Sequence, residues 1–208
     1  MITMKIIGLI GGVASGKSTV AKCLAELGAA VLDADAAGHV ALRDPQVEQA
    51  ARTRWGEAIF ATDGHIHRPS LAAIVFGPGS EAAAELKYLE SLTHPLIRKR
   101  LRDRISELQA GGKHPAAVLD APVLLKAGWN ELCDQIVYVD APKPVRLARA
   151  RRRGWSAEEF TRREAAQEPL LEKQACSDET IDNSGDLKHT RRQVVEFWGS
   201  LFPDFRPD

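Results

Sequence analysis

The sequence predicts an α/β fold, a parallel sheet with helices packed on its faces. Three observations predict it. Short apolar runs ending in Asp recur along the chain, helical patterns separate them, and the first run opens into a glycine-rich loop followed by a helix.

The elements follow in order. Residues 5–10 form an apolar run bounded by glycines and read as a buried strand. Residues 18–27 place Val20, Leu24 and Leu27 on one helix face, and Gly28 is a natural stop. Residues 29–32 form a second strand that runs into Asp33-Ala34-Asp35, which completes a βαβ unit. Residues 81–110 change character. Leu86, Leu89 and Leu92 make one helical stripe, and Ile97, Leu101, Ile105 and Leu108 make another. His94-Pro95 is expected to part the two helices, because the residue before a proline resists helical geometry. With no strand in it, this block reads as a helical insertion. Residues 116–119 before Asp120 and 135–139 before Asp140 are the third and fourth strands. Ile181, ahead of Asp182-Asn183-Ser184-Gly185, marks a short fifth. Residues 187–201 read as a closing helix, and 202–208, with two prolines, as an irregular tail.

Composition excludes several classes. Lys plus Arg and Asp plus Glu balance at 28 each, so no net field gathers nucleic acid. The apolar run near the N-terminus is too short to span a bilayer and lacks the pattern of a signal peptide, so the expected location is cytoplasmic, with no membrane partner. Cys23, Cys133 and Cys176 lie far apart without a C-x-x-C pair, which points to neither a disulfide framework nor a zinc site.

The chemistry is concentrated in Gly11-Gly12-Val13-Ala14-Ser15-Gly16-Lys17-Ser18-Thr19, which fits G-x-x-x-x-G-K-[ST] and sits between a strand and a helix. Gly11 and Gly16 permit backbone angles that a side chain opposes. The N–H groups of Gly12, Val13, Ala14, Ser15, Gly16, Lys17, Ser18 and Thr19 can then surround phosphate oxygens at a helix N-terminus. Lys17 supplies an ammonium to the β- and γ-phosphates of ATP, and Ser18 offers a hydroxyl to Mg²⁺. Asp120 ends a strand, where an acid either reaches the metal or serves a turn. Asp33, beyond a strand's carboxyl end, is placed either to take a proton from a substrate hydroxyl or to cap a helix. Arg146, Arg149, Arg151, Arg152 and Arg153 form a run in which Arg149 and Arg153 share a helix face, as a lid closing over phosphate requires; a solvated face or a nucleic-acid patch is the other reading. His94 has a helix cap as its alternative role.

No N-K-x-D segment supports a guanine nucleotide switch, and no ABC-type signature is present. The short chain, its helical insertion and its arginine-rich stretch point instead to a kinase acting on a small substrate. Over nearly its whole length the chain resembles the dephospho-coenzyme A kinase family. The resemblance rests on the loop Gly11–Thr19, Asp33-Ala34-Asp35, Arg68 with Leu71, His94-Pro95-Leu96-Ile97, Asp120 with Pro122 and Leu124-Leu125, Arg149 and Arg153, Gln167, and Ile181-Asp182-Asn183 with Gly185. Two positions depart from the family pattern: Lys126 replaces a usual acid, and Gly154 follows Arg153 where Asp is common.

The resemblance implies ATP-dependent phosphorylation of the ribose 3′-hydroxyl of dephospho-coenzyme A, giving coenzyme A and ADP. It implies a P-loop NTPase fold of three layers, α/β/α, with a five-stranded parallel sheet, a helical substrate-binding insertion and a helical lid. The expected parts are a nucleotide-binding core of residues 1–57, 111–143 and 176–208, an insertion of 58–110 and a lid of 144–175. Asp33 is then the general base, with Lys17 and Arg149 beside it in catalysis. Arg149 and Asn183 join the loop in binding ATP. Asp33, Asp35, Arg68 and His94 bind the substrate, and Ser18 and Asp120 hold Mg²⁺. A monomer or weak homo-oligomer is expected. Another kinase of this fold, acting on a nucleoside or nucleoside monophosphate, is the alternative, and a nucleic-acid-dependent ATPase is a more distant one.

Overall fold

The computed structural model describes residues 3–77 and 79–204. Five strands form one parallel sheet in the order β2-β3-β1-β4-β5: β1 (Lys5–Gly11), β2 (Ala30–Asp33), β3 (Ala116–Asp120), β4 (Gln135–Asp140) and β5 (Glu179–Asp182). The central strand, β1, is buried at every position after Lys5, which is why it reads as a continuous apolar run without alternation.

The chain divides into two compact units, Met1–Asp33 with Arg104–Asp208, and Ala34–Asp103. The first contains the sheet. Ile7 and Leu9 of β1, Ala116 and Val118 of β3, and Val137 and Val139 of β4 form one face. Two helices cover that face, α1 (Lys17–Glu26) through Val20 and Leu24, and α9 (Leu187–Leu201) through Val194, Phe197 and Trp198. Full burial of each such side chain contributes on the order of 1.5–3 kcal/mol. On the opposite face Ile6, Ile10, Ala117, Leu119 and Tyr138 are also buried. Three further helices belong to this unit: α6 (Lys143–Arg152), α7 (Ala157–Ala165) and α8 (Leu170–Ala175), the last packed on β1. The expected irregular tail is coil and turn to Asp204, and its last four residues lie outside the described residues.

The second unit is helical. It holds α2 (Ala34–Ala41), α3 (Pro45–Trp55), α4 (Arg68–Val75) and most of α5 (Glu81–Gly111). Helix α3 starts by a local rule, since the Asp44 side chain accepts the Gln46 N–H at 2.9 Å and Pro45 occupies the first turn. Val47, Ala51, Ile59, Ile66, Leu71 and Val75 form its core, and the Leu86, Leu89, Leu92 and Leu96 stripe of α5 packs against them.

The helix break expected at His94-Pro95 is absent. Helix α5 runs unbroken through Pro95, and His94 is an interior residue, not a cap. An interior proline costs roughly 3 kcal/mol. The stripe continues on both sides of it, with Leu92 and Leu96 packed and Ile97 and Leu101 buried, so tertiary burial outweighs the local preference.

Candidate active site

The loop between β1 and α1 begins where the central strand ends. Helix α1 has no side-chain N-cap and no acid in its first turn, so its leading N–H groups and positive dipole end are left for an anion. Ala14 has a φ of 60°, and among described residues it alone occupies that region without being glycine. The Ser15 N–H closes a turn on Gly12 O at 3.1 Å. Gly16, at φ 97°, lies so near Asn183 that an added Cβ would stand 2.0 Å from Asn183 Nδ2. Gly12 is hemmed in by Arg146, whose Nη1 would be 2.9 Å from such a Cβ.

Other elements hold this loop from outside. Ser15 O accepts hydrogen bonds from Arg149 Nη1 at 2.9 Å and from Asn183 Nδ2 at 2.7 Å. Arg149 Nη2 donates to Asn183 O at 2.7 Å, and Asn183 Oδ1 accepts from the Thr190 hydroxyl at 2.8 Å. The Asn183 side chain is therefore spent on the loop and on α9. Val13 and Ala14 are buried in a cluster with Ala150 of α6 and Phe160 of α7, so the arginine-bearing helices rest on the loop's tip.

Lys17 is half-buried, and its ammonium has no hydrogen bond or ion pair among the described residues. Ser18 is exposed in the first turn of α1. Asp33 and Asp120 are Cα partners at the carboxyl ends of β2 and β3, the edge at which open α/β sheets take ligands. Asp33 is exposed and Asp120 half-buried. Burial lowers the Arg149 pKa, and repulsion from Arg152 and Arg153 adds to it, a cationic cluster that a polyanion would relieve. A cleft of about 330 Å³ lies there, lined by Gly16, Thr19, Arg149, Arg153, Asn183 and Leu187 among others. Arg153 follows α6 and lies over the Trp155 ring, 5.9 Å from its centroid, with Arg163 at 4.1 Å from the same ring.

Asp35, Arg68 and His94 belong to the second unit and sit on three of its helices: Asp35 in the first turn of α2, Arg68 opening α4, and His94 inside α5. Asp35 and Arg68 are exposed and His94 is half-buried.

Two buried cations escaped assignment from sequence. Arg146 is 3% exposed; it donates Nε to Ala141 O at 2.9 Å and pairs with Glu164. Lys173 is 2% exposed, with Nζ at 2.8 Å from Gln167 Oε1. Arg146 had a signal, its place in the arginine run, but nothing in the spacing distinguished an inward from an outward guanidinium. Lys173 had only Gln167 as a pointer.

A model of the dephospho-CoA kinase family matches residues 5–189. A dephospho-CoA kinase of Geobacter sulfurreducens is 40% identical over 203 residues, covering 96% of this chain and all of that protein. The chain belongs to the dephospho-CoA kinase family. It is an enzyme, a kinase of the last step of coenzyme A biosynthesis, and the nucleoside kinase alternative is not favoured. Among solved structures, one from Thermus thermophilus superposes with a TM-score of 0.78 at 33% identity, covering 95% of this chain and 98% of that one. A dephospho-CoA kinase from Campylobacter jejuni superposes at 0.63 with 24% identity, covering 96% and 98%, which supports the fold. The P-loop kinase fold with an all-parallel five-stranded sheet is thus the architecture expected from sequence. Among the described residues no helix is long and apolar enough to cross a membrane.

Proposed function

We propose that the Gly11–Thr19 loop binds the triphosphate of ATP and that Asp33 deprotonates the ribose 3′-hydroxyl of dephospho-coenzyme A. The observation that carries this is the placement of Asp33 and Asp120 as register partners at the sheet edge into which the loop opens. In the step, the 3′-oxygen bonds to the γ-phosphorus, the bond to the β–γ bridging oxygen breaks, and ADP leaves. The hydroxyl proton passes to Asp33. Lys17 and Arg149 offset charge on the transferring group, and the loop's N–H groups hold it in line.

Gly12 through Thr19, with Arg149 and Asn183, form the ATP side of the site. The cleft beside Arg149 and Arg153 suits the base, because a guanidinium plane stacks on aromatic faces. Asp35, Arg68 and His94 serve the acceptor substrate. The functional parts are the core of residues 1–57, 111–143 and 176–208, the acceptor-binding part of 58–110, and a lid of 144–175.

The residues present fit Mg²⁺. Among the described residues no three acidic, His or Cys side chains cluster as a protein cage. Mg²⁺ needs none, since it takes one or two protein oxygens and completes its shell with phosphate and water. Ser18 and Asp120 would hold it, and when bound it neutralises phosphate charge. The enzyme acts as a monomer or weak homo-oligomer in the cytoplasm.

An ADP-release assay offering dephospho-coenzyme A, adenosine, uridine and AMP side by side tests the proposal. Turnover is expected with dephospho-coenzyme A far above the others, and with the product phosphorylated at the 3′-oxygen. Equal or greater turnover with a nucleoside would overturn it.

A further inference from the structure

Three carbonyls of the phosphate loop, two residues apart, each meet a donor from another part of the chain. Gly11 O lies 3.4 Å from Lys173 Nζ, Val13 O lies 3.4 Å from Arg146 Nη1, and Ser15 O is held by Arg149 and Asn183. In a trans peptide the C=O of one residue and the N–H of the next point in opposite directions within one plane. Holding the carbonyls of residues 11, 13 and 15 outward therefore turns the N–H groups of Gly12, Ala14 and Gly16 to the other side. The intervening Ser15 N–H is spent inside the loop on Gly12 O.

We propose that Lys173 is a positioning residue for phosphate binding, acting with Arg146 and the Arg149–Asn183 pair to hold the loop's carbonyls outward and its N–H groups on the phosphates. The proposal rests on reading Gly11–Thr19 as the triphosphate site and adds a buried second layer behind it.

Other observations agree. Lys173 is among the largest fully buried side chains, and a buried ammonium costs several kcal/mol before its partners respond. Its ammonium stands 2.8 Å from Gln167 Oε1, 3.4 Å from Gly11 O and 3.7 Å from Glu168 Oε2, so the loop carbonyl is one of three oxygens that share it. Burial pulls the Lys173 pKa down; Glu168 opposes this, while Lys17 and Arg146 add to it. Lys173 thus feels the field of the phosphate-site lysine. A buried ammonium shared among an amide oxygen, a carboxylate and a loop carbonyl is placed to orient that peptide dipole.

The test compares wild type with Lys173→Met, which fills the volume without charge, and with Lys173→Gln, which keeps an N–H donor. Binding of inorganic tripolyphosphate is measured by calorimetry, and the KM values for ATP and dephospho-coenzyme A by ADP release. In Lys173→Met, tripolyphosphate affinity should fall tenfold or more and the KM for ATP should rise in step. The KM for dephospho-coenzyme A should stay within twofold, and Lys173→Gln should recover part of the loss. The inference is overturned if folded Lys173→Met binds tripolyphosphate within twofold of wild type, or if both KM values shift together. Should Lys173→Met not fold, Lys173→Leu, which also removes the donor to Gly11 O, decides by the same twofold limit. Wild-type protein that binds ATP but not tripolyphosphate would overturn the phosphate-site reading as well, so the two failures are distinguishable.

Discussion

Asp33 and Asp120 are Cα partners in the parallel pairing of β2 with β3. Register partners send their side chains to the same face of a sheet, and neighbouring strands lie about 4.8 Å apart. The proposed function gives the two acids different tasks at this one edge, Asp33 toward the substrate hydroxyl and Asp120 toward the metal. The pairing is a long-range fact, since 86 residues lie between the two positions.

Asp33→Asn should still fold, because the side chain is exposed and the amide is isosteric. Turnover should fall by about 10²–10⁴, the range of general base catalysis, with ATP affinity retained. Near-normal turnover would remove Asp33 from the base role.

Asp120→Asn should act differently. The Mg²⁺ concentration giving half-maximal rate should rise severalfold while metal-free nucleotide binding stays unchanged. A Mg²⁺ titration of initial rates reads this directly, and an unshifted midpoint counts against Asp120 as the metal acid.

Gly16→Ala should lose nucleotide binding and stability together. Its φ of 97° is strained for alanine, and the new Cβ would overlap Asn183 Nδ2, at 2.0 Å, so the amide must leave Ser15 O. A non-glycine residue in so strained a conformation costs of order 1–3 kcal/mol. Urea unfolding beside ATP titration measures both losses.

Pro95→Ala should stabilise the protein by up to about 3 kcal/mol, by restoring an N–H inside α5 and relieving the ring's clash with the preceding turn. Pro95 is exposed, so little packing is lost. A lower urea midpoint would show that the ring contributes more than it costs.

The Cys133 thiol is pushed from 9.0 to about 12, mainly by burial, with Asp134 adding to it. The fold therefore favours the neutral thiol. That contribution is fully present below pH 9 and is lost as pH rises toward 12. Native protein at pH 8 should alkylate at exposed Cys176 and leave Cys133 unmodified until unfolding. Equal labelling of the two by mass spectrometry would contradict this.

Much of the fold was legible because its signals are local. All five strands follow from short apolar runs, the first helix follows from apolar residues on one face, and Leu187–Leu201 matches its expected span residue for residue. Helices α2, α3 and α4 left weaker marks, the Asp44-Pro45 start of α3 being one that a local rule could have found. Pro95 misled because the local rule is real and only packing defeats it. Several residues that carry the family resemblance, among them Leu71, Ile97 and Leu124, are buried core with no chemistry of their own.

Adjacent residues are enough to specify the phosphate loop, its βαβ setting and the acids and arginines around it, because a glycine pattern and a strand end are local properties. What holds the loop depends on long-range contacts. Lys173, Arg146 and Asn183 reach it across 133 to 168 positions of chain. No periodicity records such contacts. They arise when separate strands of one parallel sheet end at the same edge, and there buried carbonyls must find donors wherever the fold supplies them.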